Sequence, residues 1–457
     1  MGARPSTTHL KSKPLSIRGH GGSGSGRAAR DVAVSALFSV LVEKRSFDDC
    51  FLRLASSRDL ASRDRAFARL IATTALRHRG ALQAVVSSYL AKPLPKHQGR
   101  LEHILLAAAA QLLLLQTPPH AAISVAVDQC RADRLGRRFA NLVNAVLRRV
   151  SESGGGRLAA LDNVALTFPE WLLSKWTSAY GPAEARQIAR ASLAEPALDI
   201  SVKSDPEQWA KRLGGIVLPT GSVRCAGVGR IEDLDGFDEG AWWVQDAAAA
   251  LPVKLLGDVR GLRVLDLCAA PGGKTAQLAA AGAQVTAVDK SAGRLQRLRE
   301  NLSRLRLSAE TIVADAQAFR ADAGFDVVLL DAPCTATGTI RRHPDILYLK
   351  RAEDVAALAA LQAGLLRQAG QLVKHGGILL YCTCSLEPEE GEQQIAAFLR
   401  ENMRFSRRPM AIDEATIPLL WRTAEGDLRT LPTYLGDLPE GFKGLDGFYA
   451  AVLSKAA

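Results

Sequence analysis

The stretch "RVLDLCAAPGGKT" (residues 263–275) joins a short β-rich run to a turn with two glycines and then to a helical segment. Four more β-rich runs follow, separated by helical stretches, and this alternation predicts a parallel α/β sheet with crossover helices. We place this α/β domain at residues 246–457. Its further runs are "QVTAVD" (284–289), "TIVADA" (311–316), "DVVLLD" (326–331) and "GILLYCTC" (377–384), with "DGFYAAVLS" (446–454) typical of a last strand.

Residues 31–150 have a different pattern, because their apolar residues recur with helical spacing. Val34, Leu37, Phe38 and Leu41 fall at i, i+3, i+4 and i+7, and similar stripes recur without strand alternation between them. The apolar run "ILLAAAAQLLLL" (104–115) is shorter than the roughly 20 residues that cross a bilayer. We therefore predict an all-α N-terminal domain, with that run as a buried helix, and no membrane association.

Two boundaries separate these domains. "SESGGGR" (151–157) predicts a linker over residues 151–164, since Gly and Ser lower the cost of turning the chain. Between it and a second boundary near residue 245, helices followed by a strand predict a small α+β connecting domain over residues 165–245.

The N-terminal tail, residues 1–30, holds six Lys or Arg, no acidic residue and the run "GHGGSGSGR". We expect it to be disordered and to contact phosphates nonspecifically. Its "MGARPS" start matches an N-myristoylation pattern, but so short a pattern often matches by chance. Its acid-poor composition also resembles a transit peptide, although the Gly/Ser run argues against an amphipathic helix.

Charge and cysteine usage limit the partners and the compartment. The 457-residue chain has a formal net charge of +11, which favours an acidic partner such as nucleic acid. The segment "RADRLGRRFANLVNAVLRRV" (131–150) carries six Arg against one Asp, so its basic face is either solvated or in contact with RNA. The 7 cysteines are odd in number and widely spread, which argues for a reducing compartment. We expect a cytoplasmic monomer.

Ligands of an open α/β sheet bind beyond the carboxyl ends of its strands. The loop "CAAPGGKT" (268–275) allows a ligand to approach the backbone, and Asp289 can accept hydrogen bonds from two ribose hydroxyls. Asp315 and Asp331 follow the next two strands; any one of the three carboxylates could be a helix cap, but together they predict a nucleoside site. The loop ends in "GGKT" but lacks the phosphate-binding pattern G-x-x-x-x-G-K-[ST], because the residue five positions before Gly273 is Cys268 and not glycine. S-adenosylmethionine, which has no phosphate chain, is the predicted cofactor.

Two cysteines follow the fourth and fifth strands, at Cys334 in "DAPCTATGTIRRHPD" (331–345) and Cys384 in "YCTCS" (381–385). Adjacent strands lie about 5 Å apart, so both thiols can face the same rim beside the cofactor. We expect Cys382 to serve packing. A zinc site is disfavoured because no C-x2-C pair exists. Merely buried thiols are a stronger alternative, but the polar residues around the two cysteines argue against it.

Two thiols, a methyl donor and an acidic polymer together point to methylation of cytosine at C5. That carbon is a poor nucleophile, but a thiolate that adds to C6 makes C5 enamine-like. After C5 takes the methyl group, loss of the C5 proton and expulsion of the thiol restore the ring. The target base must leave any stack to reach the thiols, so we expect a single-stranded or bulged cytosine.

The motifs "DLCAAPGGKT", "DAPCTATGTIRRHPD" and "YCTCSLEPEEGE" resemble the RNA cytosine-5 methyltransferases of the Fmu/Sun (NOL1/NOP2/Sun) family. The segments "PHAAISVAVDQC" and "FANLVNAVLRR" are similar to the NusB-like helical domain of the bacterial 16S ribosomal RNA methyltransferase B proteins. The resemblance implies a Rossmann-like class I S-adenosylmethionine-dependent methyltransferase domain that acts on RNA, with 16S ribosomal RNA as the expected substrate.

The resemblance also implies roles for single residues. Cys384 would be the nucleophile and Cys334 would help release the product, while Asp331 and Lys274 would polarise the cytosine edge. Thr335 and Ala336 stand where Ser and Gly are usual in the family, which leaves the chemistry intact but could alter loop flexibility. The residues implied to contact or frame the cofactor are Cys268, Ala269, Ala270, Pro271, Gly272, Gly273, Lys274, Asp289, Asp315 and Asp331.

Two rival functions remain open. A DNA cytosine-5 methyltransferase would use the Pro-Cys thiol as nucleophile and would have a Glu-Asn-Val motif after it. The tripeptide "ENM" (401–403) resembles that motif, but it lies downstream of "YCTCS" and on a predicted helix. A noncatalytic RNA-binding or antitermination module could be built on the helical domain. Binding of S-adenosylmethionine separates this module from the enzymes.

Overall fold

The structure is a computed structural model that describes residues 25–227, 229–410 and 414–457. The N-myristoylation pattern and most of the predicted disordered tail, residues 1–24, lie outside the described residues. In chain order the described part consists of a helical region, a small mixed region and a larger α/β region. Among its helices, none is both long enough and apolar enough to cross a membrane.

The N-terminal region is helical, as predicted, and residues 25–159 contain no β-strand. Val34 and Leu37 of the predicted stripe are buried in its core, and the predicted helix at 104–115 is present and largely buried. Its helices are α1 (Ser25–Leu41), α2 (Phe47–Ser57), α3 (Ser62–Arg77), α4 (Arg79–Ser87), α5 (Leu101–Leu113), α6 (Pro119–Ala132) and α7 (Ala140–Ala159).

Helix α1 begins before the predicted boundary at residue 31, so the expectation of disorder is wrong for residues 25–30. Ala29 is fully buried in the helical core. The guanidinium of Arg30 donates from Nε to Gln111 Oε1 at 2.6 Å. The burial of Ala29 and the hydrogen bond from Arg30 to the distant helix α5 hold the first turns of α1. A local composition rich in Gly and Arg does not reveal such long-range contacts.

The segment "SESGGGR" is also helical, where a linker was expected, because α7 continues to Ala159. Gly154 is buried, and a Cβ atom at this position would lie 3.0 Å from Leu113 Cδ2. This glycine therefore lets α7 pack closely against neighbouring helices. The chain turns only after α7, where Asp162 caps the next helix by accepting the backbone N–H of Ala165.

The connecting region combines helices with a four-stranded sheet in the order β2-β3-β1-β4, in which neighbouring strands are antiparallel. Ile200 in the central strand pairs with Val223 on one side and Val244 on the other. The elements are α8 (Asn163–Thr167), α9 (Glu170–Tyr180), α10 (Pro182–Ser192), β1 (Leu198–Val202), α11 (Pro206–Leu213), β2 (Ile216–Val217), β3 (Val223–Cys225) and β4 (Trp242–Val244).

The C-terminal region is built on an eight-stranded sheet with the strand order β10-β12-β9-β8-β5-β6-β7, and β11 pairs with β12. The elements are α12 (Ala247–Lys254), β5 (Arg263–Leu267), α13 (Gly273–Ala280), β6 (Gln284–Asp289), α14 (Ala292–Arg304), β7 (Glu310–Val313), β8 (Phe325–Asp331), α15 (Ile346–Leu349), α16 (Ala352–Leu372), β9 (Val373–Thr383), α17 (Glu392–Glu401), β10 (Phe405–Arg407), β11 (Leu428–Thr430) and β12 (Phe448–Lys455).

The predicted parallel sheet is present as its five strands β7, β6, β5, β8 and β9. The closing strand β12 pairs antiparallel with β9, and β10 pairs antiparallel with β12, so the whole sheet is mixed. Polar side chains that follow β5, β6 and β8 therefore meet at one edge of the sheet, since parallel neighbours end on the same side.

The segment that follows the Cys334 loop connects the α/β region to the helical region. Arg77 Nη2 donates to the carbonyl of Arg341 at 2.9 Å, and the Tyr348 hydroxyl donates to the carbonyl of Leu76 at 2.7 Å. The backbone N–H of Phe47 donates to Asp345 Oδ2 at 2.9 Å. The helical domain thus holds one end of a loop that carries a candidate catalytic thiol.

A buried ion pair lies in the connecting sheet, where Arg224 and Asp199 are both fully inaccessible to solvent. Arg224 binds the carboxylate with two parallel hydrogen bonds, from Nε to Oδ1 at 2.6 Å and from Nη2 to Oδ2 at 2.7 Å. It also donates to the carbonyls of Phe442 and Gly444, near the end of the α/β region. The pair therefore joins two parts of the chain that are distant in sequence.

We expect Asp199→Ala to destabilise the protein by about 3–5 kcal/mol, because it leaves the buried charge of Arg224 without its partner. Urea unfolding measures this loss. Asp235→Ala is the matched control, since it breaks the two-point pair with Arg212 at the surface, where water replaces the lost contact. Equal losses in the two variants would contradict the assignment.

Candidate active site

The Gly-rich loop leads from β5 into α13 and is shaped by positive backbone φ angles at Cys268 (62°) and Gly272 (102°). A Cβ atom at Gly272 would lie 2.6 Å from Leu298 Cγ of α14, so a larger residue would displace the Leu298 side chain. Burial, together with the carboxylates of Asp331 and Asp289, raises the pKa of Cys268 to about 12. This thiol stays protonated and is suited to framing a pocket.

Asp289 ends β6 and contacts the Gly-rich loop directly. Its side chain is only 3% exposed; Oδ2 accepts the N–H of Ala270 at 3.2 Å and Oδ1 accepts the N–H of Ser291 at 2.9 Å. Each carboxylate oxygen has a second lone pair that can accept a ribose hydroxyl, and Oδ2 also lies 3.5 Å from Nη1 of Arg294. The residues of this loop and Asp289 thus fit a nucleoside cofactor.

Asp315 follows β7 at the same end of the sheet but is exposed. Its Oδ1 accepts the N–H of Gln317 at 2.9 Å, and its carbonyl accepts from Ala318 and Phe319. The Asp315 side chain therefore caps a turn. This is close to the alternative in the sequence analysis, in which any one of the three carboxylates could be a helix cap. Its position still places it near the edge where β5 and β6 end.

Lys274 and Asp331 form an ion pair at the edge of the sheet, with Nζ 2.7 Å from Oδ2. The lysine is buried, and its Nζ lies 4.8 Å from the ring centre of Phe448 on β12. Burial alone would lower the pKa of Lys274, but the Asp331 carboxylate outweighs that effect and raises the pKa. Lys274 is therefore a fixed positive charge at this edge.

The two candidate thiols lie side by side, with 3.4 Å between the Sγ atoms of Cys334 and Cys384. The strand register explains this contact, since Asp331 at the end of β8 pairs with Cys382 on β9. The hydrogen bond to Cys384, followed by burial, raises the pKa of Cys334 well above its usual range. The Cys334 thiol therefore keeps its proton, and the two sulfurs lie within hydrogen-bond distance of each other.

Cys382 is fully buried, in contrast to Cys334 and Cys384, which are both partly accessible. Its Sγ lies 3.5 Å from Asp331 Oδ1 and can donate to it. Burial raises the pKa of this thiol well above the usual range, so it stays protonated. This placement agrees with a packing role and adds a contact with Asp331 that strand alternation alone does not show.

Sequence reasoning did not single out Asp266, a buried carboxylate within β5. Thr275 Oγ1 donates to its Oδ2 at 2.6 Å, and burial raises its pKa to about 7. The sequence feature that could have identified Asp266 is the presence of an acidic residue inside the apolar run "RVLDL" (263–267). Within the described ranges, no group of three or more His, Cys, Asp or Glu side chains is arranged to hold a metal ion.

Comparisons with protein families match both large parts of the chain. A family described as 16S rRNA methyltransferase RsmB/F matches residues 253–454, and the NusB family matches residues 27–152. The Ribosomal RNA small subunit methyltransferase B of Vibrio cholerae is 35% identical over 444 residues, 93% of this chain and 97% of that protein. The protein of the same name from Serratia proteamaculans is 36% identical over 390 residues, 82% of this chain and 90% of that one.

Solved structures share the fold. The crystal structure of PH0851 superimposes with a TM-score of 0.73 at 24% identity and covers 94% of this chain and 99% of its own. NSun6 from Pyrococcus horikoshii, solved with SFG, has a TM-score of 0.54 at 20% identity and covers 64% of this chain and 99% of its own. The predicted order of an all-α domain and a Rossmann-like α/β domain is confirmed.

We expect Asp289→Ala to weaken binding of S-adenosylmethionine about 10- to 100-fold for each ribose hydrogen bond that is lost, because a charge-assisted hydrogen bond contributes about 1.5–3 kcal/mol. Isothermal titration calorimetry measures the Kd. Asp326→Ala is the matched control, since Asp326 lies near the opposite end of β8 and pairs with Lys374. Unchanged affinity in Asp289→Ala would rule out the ribose contact.

Asp266 should make the free energy of unfolding depend on pH. Its pKa is about 7 in the folded protein against 3.8 as a reference, so the folded state holds more protons in this window. Its contribution to stability therefore falls as the pH rises from about 3.8 to about 7. Urea unfolding over this window should show wild type losing stability relative to Asp266→Asn, whose amide stays neutral. Parallel pH curves for the two proteins would contradict the raised pKa.

Proposed function

Since the chain belongs to the ribosomal RNA small subunit methyltransferase B family and uses S-adenosylmethionine, we propose that it methylates C5 of a cytosine in 16S ribosomal RNA through a covalent Cys384–C6 adduct. The observation that carries this proposal is the Cys334–Cys384 pair, 3.4 Å apart at the edge where the Gly-rich loop and the Lys274–Asp331 ion pair also lie. Two adjacent thiols suit a reaction in which one sulfur bonds to the base and the other assists its release.

The first step is addition of the Cys384 sulfur to C6 of the cytosine. The S–C6 bond forms while the C5–C6 π electrons make C5 nucleophilic. The positive charge of Lys274 acts on the sulfur of Cys384, and the S–H of Cys334 donates to it. The thiolate is the reactive form of cysteine.

Bound S-adenosylmethionine supplies the methyl group that C5 takes. Asp289 and the loop from Cys268 to Lys274 would hold this cofactor, with Asp331 and Asp315 at the edge of its pocket. In the last step water takes the C5 proton, the electrons of the C5–H bond reform the C5–C6 double bond, and the electron pair of the S–C6 bond leaves with the Cys384 sulfur. Cys334 keeps its proton and donates a hydrogen bond to the departing sulfur of Cys384, which supports its assignment to product release.

The NusB-like domain is proposed to bind the RNA. Arg148 and Arg149 of α7 are exposed, and the Arg149 guanidinium lies 5.1 Å from the ring centre of Tyr89. Exposed arginines on one helix can contact phosphates. Action on a single-stranded or bulged cytosine, a monomeric state and a cytoplasmic location stay predictions.

The DNA-type mechanism is the alternative for the thiols, with Cys334 as nucleophile. Its apparent "ENM" motif lies at the end of α17, where Glu401 pairs with Arg367 and Met403 is 89% exposed. This surface position gives the motif no support. The raised pKa of Cys334 also disfavours it as the attacking thiolate.

Cysteine variants test the assignment of the two thiols. Cys384→Ala should abolish methyl transfer without forming an adduct, because the bond-forming sulfur is lost. Cys334→Ala should methylate and then stall as a denaturant-resistant protein–RNA complex that requires S-adenosylmethionine. Gel electrophoresis of labelled RNA under denaturing conditions measures the complex.

The double variant, Cys334→Ala with Cys384→Ala, should form no complex. Cys382→Ala is the packing control and should keep turnover with some loss of stability. A trapped complex in Cys384→Ala, together with none in Cys334→Ala, would assign the nucleophile to Cys334 and refute the proposal.

A further inference from the structure

Glu390 is a fully buried carboxylate that receives hydrogen bonds from both thiol-bearing loops. Its Oε1 accepts the backbone N–H of Thr335 at 2.9 Å, and its Oε2 accepts the hydroxyls of Thr335 and, at 2.6 Å, of Ser385. Thr335 directly follows Cys334, and Ser385 directly follows Cys384. One side chain therefore binds the neighbour of each thiol.

A third element adds to this arrangement. Gln362 of α16 donates from Nε2 to Glu390 Oε1 and to the carbonyl of Pro333, each at 2.9 Å. Cys334 is thus held on both sides, by Gln362 at the preceding residue and by Glu390 at the following one. Glu390 is itself attached to β9, because the Tyr381 hydroxyl donates to its backbone carbonyl at 2.7 Å.

The energetics of burial explain why these contacts form a rigid unit. A buried carboxylate is costly unless donors replace its water, and removal of one partner leaves polar groups unsatisfied. The donors to Glu390 are uncharged and come from three segments, namely the loop after β8, the loop after β9 and helix α16. Movement of either thiol loop away from the other would break hydrogen bonds at a fully buried site.

We propose that Glu390 is a positioning residue that fixes the separation of the two thiols by binding Thr335 and Ser385 at once. The importance of that separation for methylation rests on the proposed function, but the geometric role does not. Glu390 lies in the run "EPEEGE" (387–392), which follows the second cysteine motif and whose local sequence is typical of a solvated acidic turn. Its partners are 55 and 28 residues away for Thr335 and Gln362.

The thiol oxidant diamide, which contains a diazene group, tests the separation of the Cys334 and Cys384 thiols. This test requires no methyl transfer. The two thiols give up two hydrogens and form one S–S bond, while the diazene takes up the hydrogens to become the hydrazine. The probe is the rate of Cys334–Cys384 disulfide formation in the full-length protein, followed by peptide mass spectrometry after alkylation. Methyl transfer to 16S ribosomal RNA is measured in parallel.

Three variants separate position from charge and from general damage. Glu390→Ala should slow disulfide formation and methyl transfer about 10- to 100-fold, as expected when reacting groups are misplaced by about 1 Å. Glu390→Gln should restore most of both rates, since its amide oxygen can accept from Thr335 N and Gln362 while its NH2 donates to the two hydroxyl oxygens. Glu389→Ala, which removes a partly exposed partner of Lys175, should leave both rates unchanged.

The melting temperature and the Kd for S-adenosylmethionine report on folding. If Glu390→Ala does not fold, Ser385→Ala replaces it, and loss of one donor on the Cys384 side should still slow disulfide formation. A wild-type disulfide rate in the folded Ala variant would overturn the proposal, and so would a Gln variant as slow as a folded Ala variant. If Glu390→Ala slows the disulfide while the wild type does not methylate 16S ribosomal RNA, the positioning role stands and the proposed function fails.

Discussion

The parallel pairing of β8 with β9, with Asp331 opposite Cys382, is the constraint on which the candidate site depends. Two loops that lie some 50 residues apart in sequence leave the sheet side by side, which brings their thiols to 3.4 Å. The N–H of Ala332 donates to the carbonyl of Cys382, and the N–H of Gly338 donates to the carbonyl of Cys384. A slip of this register by one residue would turn each side chain of β9 to the other face of the sheet and separate the pair.

Buried charges then give chemically similar groups different properties. Lys274 keeps its proton because Asp331 is beside it, whereas Asp266 has a raised pKa because burial dominates there. Cys268 and Cys334 both have raised pKa values, but from different first causes, namely burial for Cys268 and the hydrogen bond to Cys384 for Cys334. The environment thus distinguishes thiols that have the same intrinsic acidity.

The site is also joined to the other two regions of the chain. The loop after Cys334 continues into the segment that contacts α2 and α3 of the NusB-like domain through Asp345, Arg341 and Tyr348. The loop after Cys384 contacts the connecting region, where Trp176 donates to Glu387 at 3.1 Å and Tyr180 to the carbonyl of Leu386. The helical domain and the connecting region are therefore both joined by hydrogen bonds to the loops that carry the thiols.

The sequence by itself determined the elements whose information is local. Alternation of β-rich and helical runs predicts the sheet, and residues at strand ends such as Asp289, Asp331 and Cys334 follow from it, because parallel strands end on one side. Tertiary structure alone decided the features that depend on distant partners. Composition marked "SESGGGR" as a linker, but the segment is helical, and its buried Gly154 lets α7 approach Leu113 closely. Similarly, the local sequence around Glu390 is typical of an exposed acidic residue. The structure buries Glu390 and gives it hydrogen-bond donors from three segments, and neither burial nor long-range hydrogen bonding is encoded in a local pattern.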